Sequence, residues 1–144
     1  MAQKDITQMQ KMIMSISSQI IEEIQTTLFM KCRFMNMAVG RLKPVMDEMI
    51  FTAATDADKF YYAGKHIIKL YQEDKNALLR LYLHSVLHCV FLHPFVSEDI
   101  DKKRWNFACD IAVENVISEL GIEELFTENV RFQKSFIAHM NLAP

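Results

Sequence analysis

The sequence predicts an α+β domain that is mostly helical and carries one small antiparallel β-hairpin, and three observations lead there. Ile6, Met9, Ile13, Ile16, Ile20, Ile24 and Leu28 recur every three or four residues, the period of a helix that buries one stripe. The stretch MIFTAATDADKFYYAG sets two short runs, Met49 to Ala54 and Lys59 to Ala63, on either side of the polar turn Thr55-Asp56-Ala57-Asp58, which is how a hairpin is written. Trp105, Cys109, Ala112, Val113, Val116 and Leu120 form a second helical arc.

Taken in order, the first stripe predicts a long helix over residues 1–30. A second helical stretch, Phe34 to Leu42, is closed off by turn residues near Gly40 and Pro44. After the hairpin, a short helix follows Gly64 as far as Tyr71. Asn76 is the expected cap of a longer helix that Pro94 stops. The polar loop Ser97 to Lys102 leads to a helix from Asp101, a good N-cap residue, to Leu120, with Gly121 in the usual place for a C-terminal stop. A last helix is expected from Asn129 to Met140. No repeat, low-complexity tract or linker divides the chain, so residues 1–144 are read as one domain: an N-terminal helix over 1–30, a core over 34–120 and a C-terminal helical segment over 121–144.

Sixteen Lys+Arg balance 18 Asp+Glu, a net charge of −2, which leaves no basic footprint for a nucleic-acid backbone. The start, MAQKDITQMQ, has no apolar signal region, and a cytoplasmic protein is expected. The longest charge-free run, Leu81 to Ser97, contains three His, Ser85 and Pro94 and is short for a bilayer span. It reads as a buried helix, and no membrane partner is expected. Cys32, Cys89 and Cys109 are odd in number and form no CxxC; buried reduced thiols are the expectation, with Cys89 and Cys109 between the two central helices.

Within that charge-free run, His84 and His88 stand four apart. On a helix they lie one above the other and can turn imidazole nitrogens to one metal ion. Isolated pairs of this kind are common by chance, so a third ligand is required. On a continuous helix His93 points about 140° away from His88. The next helix offers a better donor, because Asn106, Asp110, Glu114 and Ser118 follow one another at four-residue steps, flanked by Phe107, Ile111 and Ile117. Asp110 can add a carboxylate oxygen to an ion already held by two His. The plain alternative is a solvated polar face.

The succession of LHSVLHCVFLH, a polar loop and WNFACDIAVENVI resembles the putative metallopeptidase domain found in bacteria ahead of a von Willebrand factor A-like domain. That family reads LLHExxHxxxxH and then W-N-x-A-x-D, and His84, His88, His93, Trp105, Asn106, Ala108 and Asp110 match it, within a resemblance running from Phe34 to Leu120. The resemblance implies a zincin-like core, a metal helix beside a small sheet, and Zn2+ as the ion at His84, His88 and Asp110, with His93 and Asn106 as outer partners. It also implies a von Willebrand factor A-like domain or a peptide as partner.

Ser85 departs from the pattern, since it stands where the family has the glutamate that takes a proton from the attacking water. General-base catalysis contributes typically 10²–10⁴-fold. A serine hydroxyl is no base near neutrality, and no acid or Lys adjoins it. The expectation is therefore a metal-binding pseudoenzyme, weak or inactive as a peptidase. Glu114, where Asn is common in the family, is either a compensating carboxylate or, more simply, a surface residue. The competing reading is a metal-free helical interaction module that docks a von Willebrand A-like domain or another partner. A peptide added along the hairpin edge suits both.

Overall fold

The computed structural model describes residues 2–125. The elements are α1 (Ala2–Lys31), a 3-10 turn (Arg33–Met35), α2 (Asn36–Arg41), β1 (Lys43–Met46), β2 (Ala53–Thr55), β3 (Lys59–Tyr62), α3 (Gly64–Glu73), α4 (Lys75–Val90), α5 (Lys102–Glu119) and a second 3-10 turn (Glu123–Leu125). The fold is α+β and mostly helical, as the periodicities predict. The last expected helix, Asn129 to Met140, falls outside the described residues.

The sheet is larger than a hairpin. β2 and β3 pair antiparallel as expected, with Ala54 opposite Tyr61, but β2 covers only Ala53–Thr55, so Met49 to Thr52 fall outside it and Thr55 belongs to the strand rather than the turn; β1 adds a third strand parallel to β3, with Pro44 opposite Phe60. The strand order is β1-β3-β2. Pro44, expected as a turn residue, instead lies within β1, where a proline lacks a ladder donor. That cost vanishes on an edge strand whose N–H would face outward, and β1 is such an edge.

α4 is the central element. It packs against α1, α2, α3, α5 and β2, and it buries Leu78, Leu79, Tyr82, Leu83, Val86 and Leu87. Tyr82 is fully enclosed; its hydroxyl donates to the Val39 carbonyl at 3.2 Å and accepts from Gln25 Nε2 at 2.8 Å. Phe60 of β3 lies against its ring, with centroids 4.8 Å apart. From α1 come Ile20, Ile21, Ile24 and Leu28. The apolar stripe of α1 therefore divides, since its first turns run past the core and leave Ile6 58% exposed. Gly64 opens α3 where a Cβ would meet Ile13 Cγ2 at 2.7 Å and Met46 Sδ at 2.8 Å, so that α1, β1 and α3 converge only around a residue without a side chain.

Two helix boundaries differ from expectation. Asp74, not Asn76, caps α4: it is extended, at φ −159 and ψ 92, and its carboxylate accepts from the Ala77 amide at 3.1 Å. Its own N–H closes α3 by donating to Leu70 O at 2.7 Å. α4 then ends at Val90, before Pro94. Phe91 caps it, Leu92 adopts the left-handed conformation at φ 58, and the amides of Leu92 and His93 donate to the carbonyls of Cys89 and His88 at 3.1 and 3.0 Å. This is the Schellman pattern, with leucine where glycine is usual. α5 begins and ends as read, with the Asp101 carboxylate accepting from the amides of Lys103 and Arg104 and Gly121 at φ 65. Its buried face is Cys109, Val113 and Ile117, whereas Ala112 is exposed. Among the described residues no helix is long and apolar enough to cross a membrane.

The shared cap yields a direct test. Asp74→Ala should lower the unfolding free energy by about 1 kcal/mol, and Asn76→Ala should change it by less than about 0.5 kcal/mol. Urea unfolding of both variants measures this, and the reverse order would return the cap to Asn76.

Candidate metal centre

α4 and α5 run antiparallel, and their facing residues form a polar ladder at four-residue steps. At one end His88 Nε2 lies 3.0 Å from Asp110 Oδ1. Next, His84 Nε2 lies 3.2 Å from the same oxygen and 2.8 Å from His88 Nε2. One turn further, His84 Nδ1 meets Glu114 Oε1 at 2.8 Å, and Glu114 Oε2 accepts from Arg80 Nε at 2.8 Å and from Arg80 Nη2. Arg80 Nη1 closes the series on the Leu125 carbonyl at 2.7 Å.

The structure thus brings together His84, His88 and Asp110, whose donor atoms form a compact triangle. Zinc bonds of 2.0–2.2 Å in a tetrahedral shell place neighbouring donors about 3.3–3.5 Å apart. The triangle is slightly tighter than that and would need only small side-chain adjustments. Two imidazoles and a carboxylate are a fitting donor set for a borderline divalent cation. Both His are largely covered, while Asp110 leaves 56% of its side chain exposed, so the triangle opens to solvent on the α5 side.

Two Nε2 atoms at 2.8 Å cannot both present lone pairs, so a proton or a cation must lie between the donors. The electrostatics point the same way. Burial pulls the His84 pKa down, but the hydrogen bonds and charges of Glu114 and Asp110 outweigh it, and the net shift is upward. His88 is shifted downward, first by burial and then by the charge of His84. In Glu114 burial pushes upward, yet His84 and Arg80 together carry the carboxyl below its ordinary value. Of the two imidazoles, His84 is thus the one whose charged form its surroundings favour, and a cation bound at the triangle would compete with that charge.

His93 is nearer than a continuous helix allows. The reversal at Leu92 brings its Nδ1 to 3.0 Å from His88 Nδ1, on the far side of the His88 ring from the triangle. Trp105 fixes the loop by donating from Nε1 to the His93 carbonyl at 3.0 Å. Asn106 is exposed, one turn before Asp110. Ser85 is buried, and its hydroxyl donates back to Leu81 O at 3.1 Å; no described hydrogen bond ties it to the imidazoles. Glu114 is half-buried behind His84, so the surface reading of this residue is corrected. Cys109 is buried, but Cys89 is half-buried with Sγ 3.4 Å from Thr55 Oγ1 of β2, not packed between α4 and α5 as expected.

Arg80 was missed altogether. A usable signal existed: it is the one cation inside the apolar run LLRLYLH, one turn before His84, just as Glu114 is one turn after Asp110.

A family model described as a putative metallopeptidase domain matches residues 22–139, which extends on both sides of the stretch that carries the sequence resemblance. Comparison with curated proteins and with solved structures gives no match.

The position of His93 depends on the left-handed residue before it. Such a conformation costs an L-residue about 1–2 kcal/mol, of which glycine is relieved at some cost in chain entropy. Leu92→Gly should therefore stabilise the metal-free protein by roughly 0.5–1 kcal/mol, and Leu92→Val should destabilise it, because a β-branched residue tolerates positive φ least. Thermal unfolding checks the pair; equal effects of the two substitutions would rule out the left-handed turn.

Proposed function

Since the chain belongs to the putative metallopeptidase domain family, we propose that it is a divalent-metal-binding member that holds zinc through His84, His88 and Asp110 and hydrolyses peptides weakly or not at all. The observation that carries the reading is the convergence of two Nε2 atoms and one carboxylate oxygen within 3.2 Å of one another, inside the matched segment. A divalent ion in such a site supplies Lewis-acid polarisation of a carbonyl and acidification of water.

What this chain adds to that chemistry is binding rather than proton transfer. Ser85 occupies the place of the general base, and its hydroxyl is spent on Leu81 O. Glu114 is the nearest half-buried carboxylate, yet it is engaged by Arg80 and by the outer nitrogen of His84, which leaves it without a free oxygen for shuttling protons. Losing the base removes typically 10²–10⁴-fold in rate. The outer edge of β2, next to α4, can take an extended peptide as an added strand, so peptide binding without turnover is the activity we assign. The three free cysteines suit a cytoplasmic setting.

A second reading, a metal-free module that docks a von Willebrand A-like domain or another partner, draws support from large exposed apolar side chains such as Phe34, Met37, Phe51 and Phe95. Metal content separates the two. Untagged protein supplied with zinc should carry one ion per chain by elemental analysis, and His84→Ala, His88→Ala and Asp110→Ala should each lose it. Because the proton on His84 competes with the ion, zinc affinity should fall by about tenfold or more from about pH 8 to about pH 6, as read by calorimetry. Absence of stoichiometric metal would favour the second reading. Rapid cleavage of an unstructured peptide by the zinc-loaded wild type would overturn the assignment of weak activity.

A further inference from the structure

A metal-bound imidazole uses one nitrogen, and the hydrogen bond made by the other decides which. At His84 the outer nitrogen is Nδ1, 2.8 Å from Glu114 Oε1. Glu114 is itself held: both Arg80 Nε and Arg80 Nη2 donate to its other oxygen, Oε2. Arg80 cannot swing, for it is 4% exposed and its Nη1 is fixed to the Leu125 carbonyl at 2.7 Å. We propose that Arg80 and Glu114 are positioning residues that lock His84 in the Nδ1–H tautomer and so present its Nε2 lone pair to the ion, an inference that rests on the metal-binding reading above.

The pattern of contacts argues against a purely structural ion pair. An arginine and a carboxylate left to themselves favour the bidentate arrangement, one nitrogen on each oxygen. Here both nitrogens share Oε2, and Oε1 is reserved for the imidazole. A buried pair of this kind is weak evidence for stability, since well-packed apolar residues often serve as well or better. Orienting a ligand is a task apolar residues cannot perform. The two imidazoles also differ in their outer partners: His88 Nδ1 meets the ring of His93, whereas His84 alone has a carboxylate. A carboxylate behind the ring raises ligand basicity, which makes His84 the stronger donor of the two.

The test uses the whole chain, with Zn2+ as probe. In metal-free wild type, at a pH where the ring is neutral, long-range 1H–15N correlation spectra should show His84 protonated at Nδ1. In Arg80→Met/Glu114→Leu, which replaces both partners with apolar side chains of similar volume, the proton should move to Nε2. Zinc affinity by calorimetry should drop about 10–100-fold in Glu114→Gln and in the double variant, with circular dichroism reporting the native helix content. If Glu114→Gln does not fold, the double variant decides alone. Unchanged tautomer and unchanged affinity in a folded variant would overturn the proposal. If wild type binds no zinc, the metal reading fails, and the spectra still judge this inference: Nδ1–H in wild type and Nε2–H in the variant would uphold the orienting role, and Nε2–H in wild type would overturn it.

Discussion

The seam between α4 and α5 is where, among the described residues, a charged side chain is buried, and the packing of both helices is fitted to it. Burying Arg80 and half-burying Glu114 would be costly if either lacked a partner. Each instead meets the other, and the ends of the series are tied to a backbone carbonyl and to an imidazole. The antiparallel course of the helices makes this possible, because four-residue steps on one strand of the ladder face four-residue steps on the other. Shifting α5 by one residue would turn Asp110 and Glu114 about 100° away from their partners.

That register is held from outside the seam. Val113 and Ile117 plant α5 in the core, Trp105 ties its start to the loop after α4, and the Leu125 carbonyl receives Arg80 just beyond its end. α4 is fixed on its other faces by Tyr82, which reaches Val39 of α2 and Gln25 of α1, and by Phe60 of β3. The small sheet thus contributes to the site indirectly, by supplying the aromatic surface on which the histidine helix rests. Capping completes the arrangement: a single aspartate ends α3 and begins α4, which sets the angular phase at which residues 80, 84 and 88 emerge.

Much of this was written in the sequence because it is periodic. Helical spacing places His84 and His88 on one face and Asp110 on a polar row, and the paired Asp101 and Gly121 bound α5 as local chemistry dictates. What escaped depended on partners remote in sequence or on exceptions to residue preference. β1 is four residues long and contains a proline, and only its edge position explains it. Leu92 does the work of a glycine, so the break that brings His93 back had no sequence mark. The cap at Asp74 competed with an equally good Asn76. Glu114 looked like one more member of a solvated face, since nothing local reveals that Arg80 lies opposite.

The same angular logic accounts for position 85. One residue on from His84, its side chain turns about 100° away, and here that direction is buried. A serine suits such a place because its hydroxyl can donate to the carbonyl one turn earlier and needs no further partner. A carboxylate there would need either water or a hydrogen-bonding neighbour, and the described hydrogen bonds provide neither. The two imidazoles that would hold a cation each have an outer contact, while Ser85, beside them in sequence, is satisfied within its own helix. Holding an ion and activating water are separable demands on a metal helix. On the reading proposed above, the described side-chain network suits the first demand, and the buried Ser85 leaves the second without a base at that position.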